Sequence, residues 1–240
     1  VRAANDARSG GFDNINIDVM HGLPGQDRQA AIEDLEAAIA LEPEHLSWYQ
    51  LTLEPTTVFH ARPPADLPDD DAVAEMQEAG SALLAKHGYH QYEVSAFARR
   101  DRQCRHNLNY WLFGDYLAAG AGAKGKISTG RGVFRYEKPA HPRQYMDEFA
   151  SPGQPAPLQA VTPGDLVFEF MLNALRLTNG FSEAIFCERT GLRRDVLVEA
   201  AGPAMERGLI SRGADARWKP TPLGSRYLND LQAEFLPAGA

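Results

Sequence analysis

Cysteine is nearly absent: only Cys104 and Cys187 occur in 240 residues, far apart in the chain. That excludes a disulfide framework, and it excludes an iron–sulfur or structural zinc site whose thiolates all come from this chain. So few thiols fit the reducing cytoplasm, the expected location. No eighteen consecutive apolar residues occur, so no transmembrane helix is expected. The opening VRAANDARSGG is not the basic-then-apolar run of a secretory signal. It reads as the tail of a helix already under way, and the chain is expected to lack its natural N-terminal part. An excess of positive charge is missing too. With 32 acidic side chains against 24 basic ones the formal net charge is −8, which disfavours a general coating of nucleic acid or of an anionic membrane.

The rest of the composition is that of a globular chain, 44% hydrophobic and 23% charged, long enough to bury a core of its own. Residues 14–20, NINIDVM, alternate apolar and polar and predict a strand. Gly22, Pro24 and Gly25 then break the chain, and residues 27–41 carry the apolar spacing of a helix that ends before Pro43. With LSWYQLTL (46–53) as a second strand, the pattern is a βαβ unit with its two strands parallel. A Pro- and acid-rich loop follows. Asp69–Asp71 are placed to cap a helix running to His87, and Gly88 to stop it. YHQYEVSAF (89–97) predicts a third strand, and residues 126–136 a hairpin around STGRG. A short helix over 141–149 and a Pro/Gly linker over 151–159 follow. Beyond it come helices over 162–177, 181–190 and 193–208, a short ribbon pairing 209–211 with 218–220, and a closing helix over 221–235. Helices followed by a small β-wing are a winged-helix-like pattern, so the domains are drawn as 1–154 and 155–240.

Several residues carry candidate chemistry. Asp18 is expected at the C-terminal end of the first strand, ahead of GLPGQ, where a carboxylate can accept hydrogen bonds from a ribose diol; bracing a loop is the plain alternative. Gln50 and Thr52 end the next strand. HNLNYW, residues 106–111, puts an imidazole, two amides, a phenol and an indole into six positions. Neutral imidazole is a common ligand of transition metals and heme iron, so His106 is the sharpest candidate ligand. On a helix Tyr110 would share its face, and Trp111 offers a plane for a macrocycle. The alternative is a hydrogen-bonded histidine beside core aromatics. Cys104 and His106 alone are too few ligands for zinc. His21, His45, His60, His87, His90 and His141 are dispersed and expected mostly on surfaces and loops. The run 114–125, with GAGAKG, suits close backbone approach to a ligand or strand; Lys124 and Lys126 could balance a carboxylate or phosphate, and solvated lysines are the simpler expectation. The arginines after residue 188 are diluted by Glu188, Asp195, Glu199, Glu206 and Asp215, which weighs against a DNA-reading winged helix.

NIDVMHGLPGQ, HLSWYQLTLEP, YEVSAFA and HNLNYWLFGDYLAAGAGAKGK, in this order, resemble the HemW-type heme chaperones, relatives of the oxygen-independent coproporphyrinogen III oxidases within the radical S-adenosylmethionine superfamily. The resemblance runs from about Arg8 to the C-terminus, and HNxxYW belongs to the chaperone branch. It implies an α/β fold, the second half of a partial (β/α) barrel followed by a small, mostly helical, winged-helix-like domain. It implies heme as ligand, with His106 on the iron and Asn107, Tyr110 and Trp111 around it. Asp18, Gln26, Thr52 and the segment Ala121, Gly122 and Ala123 would lie toward S-adenosylmethionine. The family's [4Fe–4S] cluster needs a CxxxCxxC triplet, which this chain does not contain; by itself it is expected to hold no cluster and to be inactive as an enzyme. Heme-acceptor proteins are the implied partners, and self-association and peripheral membrane contact are compatible with the sequence. Nucleic acid is not expected. The alternative within the superfamily is a coproporphyrinogen III oxidase-like decarboxylase, and outside it a winged-helix nucleic-acid binder.

Overall fold

A computed structural model describes residues 1–149 and 157–237. The chain divides by its contacts into two compact units, Val1–Cys104 and Arg105–Ala240.

In the first unit α1 (Arg2–Ser9) precedes β1 (Asn16–His21), α2 (Arg28–Ile39) and β2 (His45–Gln50). The strands pair parallel, Asn16 opposite His45 through His21 opposite Gln50, as the alternating pattern predicts. Asp27 ends the intervening loop by accepting from the Ala30 amide, which caps α2. After the short α3 (Val58–Ala61), Asp69 caps α4 (Asp70–Lys86) in the same way through the Ala72 amide. Leu35 and Ala38 of α2, and Leu84 of α4, pack with Leu46, Trp48, Tyr89 and Phe97 into one core, with Ile17 and Val19 against it.

The predicted third strand is two. β3 (His90–Glu93) and β4 (Ala96–Ala98) form an antiparallel hairpin, and β4 pairs antiparallel with β2, giving the order β1-β2-β4-β3. The turn at Val94 and Ser95 has no glycine or proline to announce it. Side chains and a tertiary contact close it instead: Gln91 donates to the Val94 carbonyl, the Ser95 amide donates to Glu93, and the Ser95 carbonyl accepts from the Trp48 amide.

The second unit opens with α5 (Arg105–Trp111), then β5 (Lys124–Thr129), β6 (Gly132–Glu137) and α6 (Pro142–Phe149). The hairpin is where the sequence puts it, and β7 (Gln159–Ala160) adds to β6. Residues 151–156 of the expected linker lie outside the described ones, but its last residue, Gln159, is in that strand. α7 (Pro163–Ala174), β8 (Phe181–Ser182), α8 (Glu183–Thr190), α9 (Arg194–Glu206), β9 (Ile210–Arg212) and β10 (Arg217–Pro220) follow, with the small sheet ordered β8-β10-β9. The predicted closing helix breaks at Tyr227 into α10 (Pro222–Arg226) and α11 (Leu228–Ala233). Phe113 and Val133 share one core with Phe170, Phe181, Phe186 and Trp218. Phe113 and Val133 thus belong with the core of the later helices, and the boundary drawn at 154/155 lies outside the described residues.

Candidate functional site

Side chains alternate along β1 and β2, and only one set meets the helices. The other set, Asn16, Asp18 and Met20 beside His45, Ser47 and Tyr49, forms a polar face. Asp18, expected at the strand's end, is its third residue, with its side chain exposed on that face. It is not alone there. Asn16 donates from Nδ2 to Asp18 Oδ1 at 2.8 Å, while Asn16 Oδ1 lies 2.6 Å from His45 Nδ1 and accepts from Ser47 Oγ at 3.1 Å. His45 Nε2 lies 2.8 Å from the Tyr92 hydroxyl, which accepts from the Cys104 amide at 3.3 Å. The acceptors orient this chain. Asn16 turned over would aim its carbonyl oxygen at a carboxylate, so its oxygen faces the imidazole, Nδ1 carries the proton, and Nε2 receives the tyrosine hydrogen. Burial pushes the His45 pKa down, which suits the neutral ring.

Two of the histidines expected on surfaces are therefore buried, His45 in this chain and His21 on the opposite face. His21 is 1% exposed, its ring centroid 4.3 Å from that of Trp48, and burial lowers its pKa to about 4. A strand-ending histidine among apolar neighbours reads as a surface residue only until the sheet's covered face is known.

The other candidates of the first unit lie nearby in the loops. Thr52 is past the end of β2, exposed, its hydroxyl 3.4 Å from the Gln50 carbonyl. Both ends of the Gln26 amide are engaged locally, Oε1 accepting from the Leu23 amide and Nε2 donating to Asp34. Gly22 and Gly25 adopt φ of +73 and +72, as the GLPGQ turn requires.

In the second unit HNLNYW is the helix α5 itself. His106 is exposed, and its ring stands edge-on to Tyr110 with centroids 4.9 Å apart, as i and i+4 allow. Tyr110 continues onto Tyr116 at 4.7 Å. Among the described residues no hydrogen bond engages either ring nitrogen of His106. Asn107 is half-buried and held within the chain. One face of Trp111 carries the Arg176 guanidinium, 4.3 Å from the ring centroid, which leaves a single face for a flat ligand. The helix stops abruptly. Gly114 donates to the Asn109 carbonyl, and a Cβ on Gly114 would lie 2.1 Å from Asn109 Oδ1, so only glycine fits. Asp115, next in line, takes a salt bridge from Lys126 Nζ at 2.9 Å and two hydrogen bonds from Ser128.

Lys126 corrects its expected solvation: it is 1% exposed, with its ammonium 4.2 Å from the Phe113 ring centroid. Burial lowers its pKa, and the Asp115 partner opposes that. Burial in turn raises the Asp115 carboxyl, but the bonds from Ser128 and Lys126 outweigh it and hold the group below its ordinary range. The neighbouring Arg135 clamps Glu169 of α7 through Nε and Nη2 and donates from Nη1 to the Tyr116 hydroxyl at 3.0 Å. A cavity of about 30 Å³, room for about one water, lies between Tyr110, Tyr116, Lys126 and Arg135. Ala121, Gly122 and Ala123 form the loop before β5, where Gly122 donates to the Pro139 carbonyl and adopts φ +71.

The late arginines are largely committed inside the fold. Arg194 and Arg212 both pair with Glu183, Arg193 with Asp195, Arg207 with Glu234, and Arg217 reaches the Asn179 and Gly180 carbonyls.

No family model matches the chain. Individual proteins do. Over 236 residues, 98% of the chain, it is 44% identical to the heme chaperone HemW of Escherichia coli (strain K12), of which it covers 61%. The HemW proteins are homologues of this chain. Its identity to HemW of Haemophilus influenzae is 43%, with 98% of this chain and 60% of that protein covered. To HemW of Bacillus subtilis (strain 168) it is 36%, with 96% and 61% covered. The chain thus spans about three fifths of the length of the HemW proteins it matches. Among solved structures it is similar to the coproporphyrinogen III oxidase HemN of Escherichia coli, described as a radical SAM enzyme, with a TM-score of 0.72 at 20% identity over 98% of this chain and 57% of that one. That likeness gives the α/β fold, and the resemblance drawn from HNLNYW and GLPGQ is borne out at the level of the HemW family. No described helix is long and apolar enough to cross a membrane.

Proposed function

We propose that this chain binds heme on α5, with the His106 imidazole as an iron ligand and Asn107, Tyr110 and Trp111 around it, and that it serves to hand heme to an acceptor protein. One observation carries the reading. His106 is exposed at the end of a ring stack that fixes its plane, and no described residue occupies either nitrogen. Iron bound there would take the lone pair of the imidazole, and the neighbouring phenol and indole offer apolar surface to the macrocycle.

Asp18, exposed and held by Asn16, fits a hydrogen-bond acceptor for the ribose of S-adenosylmethionine. Thr52 and Gln26, of the same unit, are assigned toward that cofactor by the family pattern alone. For a [4Fe–4S] cluster the donors do not fit: Cys104 and Cys187 stand singly, in different units, so no radical step is derived for this chain. In finer terms we read the first unit as the latter part of a (β/α) barrel, and α7–α9 with the β8-β10-β9 sheet as a winged-helix-like domain. A decarboxylase reading has only the fold in its favour, and we place the protein in the cytoplasm.

Titrating heme into the chain and into His106→Ala, while recording the Soret band, tests the central assignment. The substitution is expected to move the band and weaken binding by about tenfold or more. Equal affinity and equal spectra in the two proteins would remove His106 as the ligand.

A further inference from the structure

A seven-residue helix is too short to be stable by itself, and a solvent-exposed histidine on it is free to change rotamer. The second unit supplies contacts that favour one. Its ring rests edge-on against Tyr110, and Tyr110 rests on Tyr116. Tyr116 does not belong to the helix. Its backbone exchanges two hydrogen bonds with Lys126 of β5, at 2.9 and 3.0 Å. Its hydroxyl accepts from Arg135 of β6, whose remaining nitrogens grip Glu169 of α7. The bottom of the ring stack is thus bolted to a strand on one side and to a helix on the other, by a planar guanidinium that a lysine cannot replace.

We infer that Tyr116 and Arg135 are positioning residues for heme ligation: through Tyr110 they hold the His106 imidazole in the orientation that iron requires. The inference rests on the assignment of His106 as ligand. It adds two residues that never touch the ligand themselves. Their contribution is pre-organisation, since ordering a loose side chain at the moment of binding weakens affinity by a factor of about two to ten. Arg135 does this best as arginine because two of its nitrogens are taken by Glu169 and only the third reaches Tyr116.

Tyr116→Phe keeps the ring and deletes only the hydroxyl, so the unit stays folded. Heme binding to this variant is expected to weaken about fivefold, with a broadened Soret band from mixed ligation. Arg135→Lys is expected to behave like Tyr116→Phe and not like the unaltered chain. Combined with His106→Ala, neither substitution should weaken binding further, because the residue they orient is gone. Two outcomes overturn the inference. One is that Tyr116→Phe and Arg135→Lys leave affinity and spectrum untouched while lowering only the melting temperature. The other is that they weaken heme equally with and without His106. If His106→Ala alone has no effect, the ligand assignment has failed, a result visible before any double variant is made.

Discussion

Burial of the His21 ring against Trp48 ties folding to pH. A histidine whose pKa falls to about 4 in the folded chain binds fewer protons than the unfolded chain between that value and its ordinary 6.5. Its neutral form is therefore stabilising in full above about pH 6.5, and that stability is lost as pH falls toward 4, to the order of 3 kcal/mol. His45, also shifted down by burial, loses stability in the same direction. Among the described residues His21 Nδ1 has no hydrogen-bond partner. Phenylalanine there keeps the ring contact and removes the proton site. Thermal unfolding of the unaltered chain at pH 7 and pH 5 is expected to show a clear drop in melting temperature, and His21→Phe should shrink it. A drop of the same size in the variant would assign the effect to other groups. None of this was legible in the sequence, where His21 and His45 are merely two of seven scattered histidines. Their burial follows from strand register, which a one-residue slip would reverse.

Elements were easier to read than residues, where their ends carry chemistry. Asp27 and Asp69 begin helices because their carboxylates accept the third amide on, and Gly22 and Gly25 of GLPGQ and Gly132 of STGRG sit where positive φ is needed. The β3–β4 turn was hidden because side chains close it without glycine. The burial of Lys126 was hidden because its partner, Asp115, is brought to it only by the tight stop after α5. Gly80 is another hidden position. In the middle of α4 it looks like a weakness, since glycine costs a helix about 1 kcal/mol against alanine. In the fold a Cβ there would lie 2.0 Å from the Trp48 ring, inside the van der Waals surface of a buried indole. The helix approaches the sheet closely because this residue has no side chain. Gly80→Ala is accordingly expected to destabilise by about 1–3 kcal/mol, despite its better helix propensity. Urea unfolding of the variant checks the sign, and a gain in stability would show that Trp48 can move aside.

At the scale of the whole molecule, the described residues form two cores, one under the parallel strands and a larger one around Phe170 and Trp218. Each encloses its own tryptophan, Trp48 or Trp218. The core around Trp48 is the smaller, and among the described residues the buried Trp48 Nε1 and the neighbouring His21 Nδ1 have no hydrogen-bond partner, so it is expected to give way first. Fluorescence in urea, with Trp111→Phe as the common background and Trp218→Phe or Trp48→Phe added to leave one tryptophan at a time, should give a lower midpoint for Trp48. Superimposed curves would mean one cooperative transition.

The hydrogen-bond chain of the first unit also runs in one direction only. From the Cys104 amide through Tyr92, His45 and Asn16 to the Asp18 carboxylate, each group gives a hydrogen onward. None can reverse alone, because reversing one leaves two donors or two acceptors face to face. A molecule that draws the Asp18 oxygen away, or a proton that neutralises it, must therefore be felt along the whole line. A nitrogen-15 label at Cys104, the last residue of that unit, then becomes a remote gauge of what docks on β1.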